Sequence, residues 1–354
     1  MLDSARRSSF RARSRPRDSP VTSAMRLTLA VPELLALDHA ALADMPALST
    51  LAAFAGSPML VAGGLDAALV PTGATAGTGT APLAALGAGF DPGAAYILRA
   101  DPVALAAGRS DVVLEGRIED LTAAEAAALI SLLNDHFRGD GIVFHAPRPD
   151  AWFVTARGPP ALTTSPLASV RGAIFPYLPT GEDAARWQRW SSEVQMLLHE
   201  HPLNAARAAR GRQSVTGVWF ADGGSLADLP RVPGIAVYAA NGVAGDVARG
   251  IALHRGARAD SVPQSFVALE PAHDAIVILD PVRNTTAAHE LMRGWIDPAL
   301  LALQRGKLAT LLVLADGGGV AAAWRASRPS LATRARARYF RRAFVPPTTA
   351  EDGE

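Results

Sequence analysis

The chain has 354 residues, with 34 basic against 33 acidic side chains and a net charge of +1. That balance gives no overall field to recruit nucleic acid or anionic lipid, while 49% hydrophobic content suffices for one large core or two medium ones. Cysteine is absent, which excludes disulfides, thiolate catalysis and thiolate-held metals and fits a cytoplasmic setting.

The opening "MLDSARRSSFRARSRPRDSPVTSAM" is rich in Arg and Ser and poor in apolar residues, so residues 1–24 are expected to be a disordered basic segment. Arg6 and Arg7 suggest a twin-arginine export signal, but Arg11, Arg13, Arg15 and Arg17 stand where its apolar core belongs. A start at Met25 is the alternative to one at Met1, because a strand pattern begins there at once, at 26–31. From Pro32 to Phe54 the apolar residues fall at helical spacing. The stretch "VPTGATAGTGTAPLAALGAG" reads as a flexible loop; its glycines lack the Lys of a phosphate loop. No apolar run reaches the roughly 18 residues of a membrane span.

Beyond "YILRADPVAL" the texture becomes α+β. Strand-like runs at 96–99, 111–115, 142–145 and 152–156 surround a helix opened by Thr122 and Glu125 in capping-box spacing. A second helix over 183–199 sets Trp187, Trp190, Val194 and Leu197 on one face, a pattern of core packing. After Gly211, apolar strands alternate with helices through "TGVWFAD", "GIAVYAA", "SFVALE", "DAIVILD", a helix at 286–304 and "ATLLVLAD", which implies a sheet covered on both faces. The expected organisation is therefore a core at 25–95 and 213–326, an inserted α+β domain at 96–212, and a basic helix and tail at 327–354.

Chemistry is less evident. "LLHEHPLNAARAARG" places His199 and His201 two apart, which diverge on a helix and cannot share a metal there. Pro202 ends the first helix near His201. Asn204 and Arg207 then lie one turn apart on a short helix closed by Gly211, where they could grip a phosphate or carboxylate or simply form a capped turn with a structural ion pair. Asp222 and Asp316 each end a strand before glycines, a position used by metal ligands, catalytic groups and ordinary turns alike. No Gly-x-Ser-x-Gly, His-Glu-x-x-His or Walker pattern occurs.

Several ordered stretches, "LTAAEAAALISLLN", "FHAPRPDAWFVT", "LTTSPLASVRGAIFPYLPTGEDA", "HEHPLNAARAARG" and "TGVWFADGG", resemble the archaeal-type cofactor-independent phosphoglycerate mutases. With "LRADPVAL", "QMLLHEHPLN" and "RYFRR", the chain is most similar to their bacterial offshoot, the RpfE-type (regulator of pathogenicity factors E) regulatory proteins. The resemblance implies an α/β layered sheet core like that of alkaline phosphatase and phosphoglycerate mutase, with an inserted α+β domain. It also implies a ligand grip at His201, Asn204 and Arg207. Mutases of this kind hold two divalent metals, Mn or Mg, through Asp and His. Here Pro32 and Glu33 stand where the pattern has Asp-Gly, Gly317 follows Asp316 where it has His, and "SPLA" at 165–168 loses another His. Asp280, His289 and Asp316 are the remaining metal candidates. The expectation is a cytoplasmic regulatory protein without the metal centre, binding a phosphorylated small metabolite and a regulatory protein partner, with no nucleic acid or membrane. The alternative is an active phosphoglycerate mutase, or another phosphoryl-transfer enzyme, using Asp222, Asp280, His289 and Asp316.

Overall fold

The computed structural model describes residues 24–108, 111–269, 274–339 and 344–347. Of the segment 1–24 expected to be disordered, residues 1–23 lie outside this range. Strand β1 (Met25–Val31) opens the described chain, followed by helices α1 (His39–Ala43) and α2 (Pro46–Ala55) and the short strand β2 (Met59–Leu60). Next comes α3 (Ala81–Gly87). It occupies the second half of the stretch expected to be a flexible loop: Pro82 at the helix start fixes a helical φ, and five consecutive residues from Ala81 to Ala85 are buried.

The middle of the chain forms β3 (Tyr96–Ala107), β4 (Val112–Arg117), α4 (Ala123–His136), β5 (Ile142–Arg148), β6 (Ala151–Ala156), α5 (Ala184–His199), α6 (Pro202–Ala208) and β7 (Gly217–Gly224). The remainder supplies β8 (Ile235–Ala239), α7 (Val243–His254), β9 (Asp274–Ile278), α8 (Thr285–Leu291), α9 (Asp297–Gln304), β10 (Leu308–Gly317), β11 (Val320–Ser327) and α10 (Leu331–Tyr339). The single helix expected at 286–304 is interrupted by a π-helical turn over Met292–Ile296, which separates α8 from α9.

Two sheets organise these elements. The first has strand order β2-β11-β10-β1-β9-β8; β10, β1, β9 and β8 run parallel, whereas β11 and β2 add antiparallel edges. Alternate side chains of β1 leave the sheet on opposite faces, so Leu27, Leu29 and Val31 join one core with Leu48, Leu300 and Leu303, while Ala30 enters a second with Val247 and Ile251. Both faces are thereby covered, as a parallel sheet requires.

The second sheet is antiparallel, with order β4-β3-β6-β5 and β7 on β3. The run "TGVWFAD" thus pairs with β3 and not with the parallel sheet to which the sequence reading gave it. Its apolar content matches either sheet, and the pairing is decided by tertiary contacts. α4 and α5 cover this sheet through Leu129, Leu133, Trp187, Trp190 and Val194. Leu198 completes the α5 stripe and Leu197 is only partly buried. Thr122 and Glu125 form the expected capping box.

α3 and α7 join the two layers. A Cβ on Gly87 would lie 1.9 Å from the Asp246 carbonyl oxygen, and one on Gly250 2.0 Å from that of Leu83. Only glycines allow the two helices to cross so closely. Arg148 on β5 reaches the start of α7, donating to Asp246 at 2.7 and 2.8 Å, so the antiparallel sheet and the helix are fixed to one another. Among the described residues no helix is long and apolar enough to cross a membrane.

Candidate functional site

A cleft of about 760 Å³ opens between the carboxyl ends of the parallel strands and one face of the antiparallel sheet. This is where open α/β sheets place ligands, because the chain diverges there on either side of a central strand. Here that strand is β1, with β9 on one side and β10 on the other. Pro32 and Glu33 follow β1, Asp280 and Arg283 follow β9, Asp316 lies near the end of β10, and Asn241 and Gly242 lead from β8 into α7.

The opposite wall is built on β3. Arg99 and Asp101 are two residues apart on a strand and so share a face. Arg99 Nε and Nη2 donate to Asp101 at 3.0 and 2.7 Å, while Arg117 Nε from β4 stands 3.1 Å from the same carboxylate. Burial by itself would raise the Asp101 carboxyl, but the two guanidinium groups overcome it and hold the group below its ordinary value. Arg99 also lies 3.5 Å from Asp66, which accepts from the Thr80 hydroxyl at 3.3 Å.

Three carboxyl groups in the cleft move the other way. Burial, then the neighbouring Asp66, pushes Asp222 up to about 7 despite Arg99. Burial also raises Asp66, against the pull of Arg99. Asp316 is pushed up to about 6, chiefly by burial and further by the charge of Glu33, although it accepts the Glu33 backbone N–H at 2.9 Å. Groups so displaced cluster at functional sites. Glu33 and Asp222 are moreover the two non-glycine residues with positive φ among the described residues, at 62° and 56°. Gly79 supports the second: a Cβ there would stand 2.3 Å from the Asp222 backbone. Both strained positions line the cleft.

The residues singled out in the sequence separate into two groups. Asp280 and Asp316 line the cleft together with Asp222. His289 does not line it: it sits on exposed α8 with Nδ1 2.8 Å from the Thr285 carbonyl oxygen. His201 is the N-cap of α6, its Nδ1 accepting the Leu203 N–H at 3.2 Å. Asn204 is 7% exposed and stitches the chain, donating to the carbonyls of Leu198 and Val215 and accepting the Val215 N–H. Arg207 is 0% exposed, and its guanidinium is occupied by Asp120, Glu125 at 3.2 Å and the Gln213 carbonyl at 2.8 Å. The expected anion grip of His201, Asn204 and Arg207 is therefore corrected: their polar atoms are satisfied inside the antiparallel domain, away from the cleft. Asp66, Arg99, Asp101 and Arg117 were missed as site residues. The "LRADP" motif contained two of them, and period-2 spacing on a strand was the available signal.

The dinuclear centre does not fit these residues. Among the described residues no histidine lines the cleft, Asp101 is taken by two arginines, and Asp150 is paired with Arg148 at 3.1 Å. Among the described residues no three His, Asp or Glu are arranged to hold a metal ion. Paired Mn or Mg ions need several free oxygen or nitrogen donors converging on each.

Residues 74–204 match a family model described as 2,3-bisphosphoglycerate-independent phosphoglycerate mutase, which is well under half of the chain. No curated protein matches. Among solved structures, the chain is similar to a cofactor-independent phosphoglycerate mutase from Thermoplasma acidophilum DSM 1728, at 17% identity and a TM-score of 0.38 over 86% of this chain and 90% of that one. It is also similar to a Pyrococcus horikoshii protein, at 13% identity and a TM-score of 0.44 over 86% and 88%. The fold is a layered α/β architecture, and the segment similar to the mutase family contains Arg99, Asp101 and Arg117 but not Glu33, Asp222, Asp280 or Asp316.

Proposed function

We propose that this chain is an RpfE-type regulatory protein acting in the cytoplasm: a mutase-like framework that has lost the metal centre and uses its cleft to sense a phosphorylated small metabolite, passing the signal to a protein partner. The observation that carries this reading is the donor set of the cleft, which among the described residues has no histidine and has its central carboxylate, Asp101, neutralised by Arg99 and Arg117. Metal-dependent phosphoryl transfer depends on ions that stabilise the attacking and leaving oxygens, and these side chains offer them no seat.

A second reading, an active mutase with atypical ligands, is favoured by one observation: Asp222, Asp280 and Asp316 face the same cleft. Incubating the purified chain with Mn or Mg and 3-phosphoglycerate distinguishes the two. The regulatory reading expects no 2-phosphoglycerate; chelator-sensitive turnover would overturn it.

A further inference from the structure

The cleft is lined by eight carboxylates and four guanidinium groups, and its polar groups are divided between its walls. On the core side, the first turn of α7 faces the cavity through Gly242, Val243 and Ala244. Gly242 caps this twelve-residue helix without any side-chain acceptor, so its leading N–H groups present a partial positive charge. Arg283 stands on the same side with no hydrogen bond or ion pair among the described residues. On the antiparallel side, Arg99 and Arg117 are committed to Asp101. That commitment leaves Asp222, largely enclosed and without a hydrogen-bond or ion-pair partner among the described residues, beside the loosely held Asp66.

We propose that the cleft takes a phosphate ester whose other end donates hydrogen bonds, best as an ammonium group, with the phosphate at the α7 N-terminus and Arg283 and the donor end at Asp66 and Asp222. This deepens, and rests on, the reading of the cleft as a metal-free ligand site. An oxyanion meets helix N–H groups and a guanidinium fork on one wall. The opposite wall offers the carboxyl oxygens of Asp66 and Asp222, which accept from hydroxyl or ammonium donors; an ammonium group favours their charged forms, whereas a second anion opposes them. A phosphate ester that also carries a carboxylate, such as 3-phosphoglycerate, is therefore a poorer ligand than an aminated one. Asp280, three residues before Arg283, and Glu33 and Asp316 at the ends of β1 and β10 compete with the phosphate on the core wall.

Isothermal titration of the full chain with glucosamine 6-phosphate, glucose 6-phosphate and 3-phosphoglycerate tests this assignment. Affinity is expected to fall in that order, by about tenfold or more between the first and the last. Arg283→Gln should weaken all three, Asp280→Asn should tighten all three, and Asp222→Asn should remove the advantage of the amino sugar alone. If 3-phosphoglycerate binds as tightly as glucosamine 6-phosphate, the ligand assignment is overturned while the metal-free sensor stands. If none binds, the assignment and the sensing role fall together, whereas metal-dependent turnover would overturn the sensor alone.

Discussion

Asp222→Asn should make the protein more stable, and increasingly so as the pH rises. The native carboxyl is pushed from 3.8 to about 7 by burial and by Asp66. A carboxyl raised in the folded state favours folding in acid, and that contribution is lost as the pH climbs from the unfolded value through the folded one. The full displacement corresponds to at most about 4 kcal/mol, and solvent entering the cleft screens part of it, leaving about 1–3 kcal/mol between pH 5 and pH 8. Asn isolates the charge well, because it has the same shape and tolerates the left-handed backbone found at φ 56°. Urea unfolding of both proteins, followed by tryptophan fluorescence, reads the difference directly. The variant's advantage should widen between pH 5 and pH 8; an equal advantage at both would refute the buried-carboxyl argument.

Other substitutions separate scaffold from site. Arg207→Ala leaves Glu125 and Asp120 without their buried cation and should cost about 3–5 kcal/mol in denaturant unfolding, with unchanged ligand affinity in the fraction that remains folded. Asn204→Ala strands two carbonyls and one N–H and should cost about 2–4 kcal/mol by the same measurement. Gly250→Ala forces a methyl group against the Leu83 carbonyl, so a loss of at least about 2 kcal/mol is expected in thermal unfolding. Thr122→Ala removes half of the α4 capping box and should cost about 1 kcal/mol.

Much of the architecture was legible because local chemistry and tertiary structure agree. The Thr122–Glu125 box opens a helix, the α5 tryptophans pack inward, and the apolar β1 pattern lies in the middle of the parallel sheet. Where the reading failed, long-range contacts decide. α3 is a helix because it is pressed against α7, and no local signal outweighed the glycines before it. β7 carries an ordinary strand pattern that says nothing about which sheet will accept it. Arg207 and Asn204 have the chemistry to hold an anion, yet the partners that occupy them, Asp120, Glu125 and Val215, come from elsewhere in the chain or the following loop. The cleft itself was half visible: Asp222 and Asp316 stood out as strand-end acids and Asp280 as a metal candidate implied by the resemblance, while Arg99 and Asp101 were hidden in a motif noticed only for its resemblance.

The central claim, a mutase-like cleft without a metal centre, is tested most directly by metal content. The purified full-length chain is equilibrated with Mn or Mg, desalted and measured by atomic emission. The donor set described above predicts no retained divalent ion; a stoichiometric complement in the wild type that is lost in Asp316→Asn would contradict it.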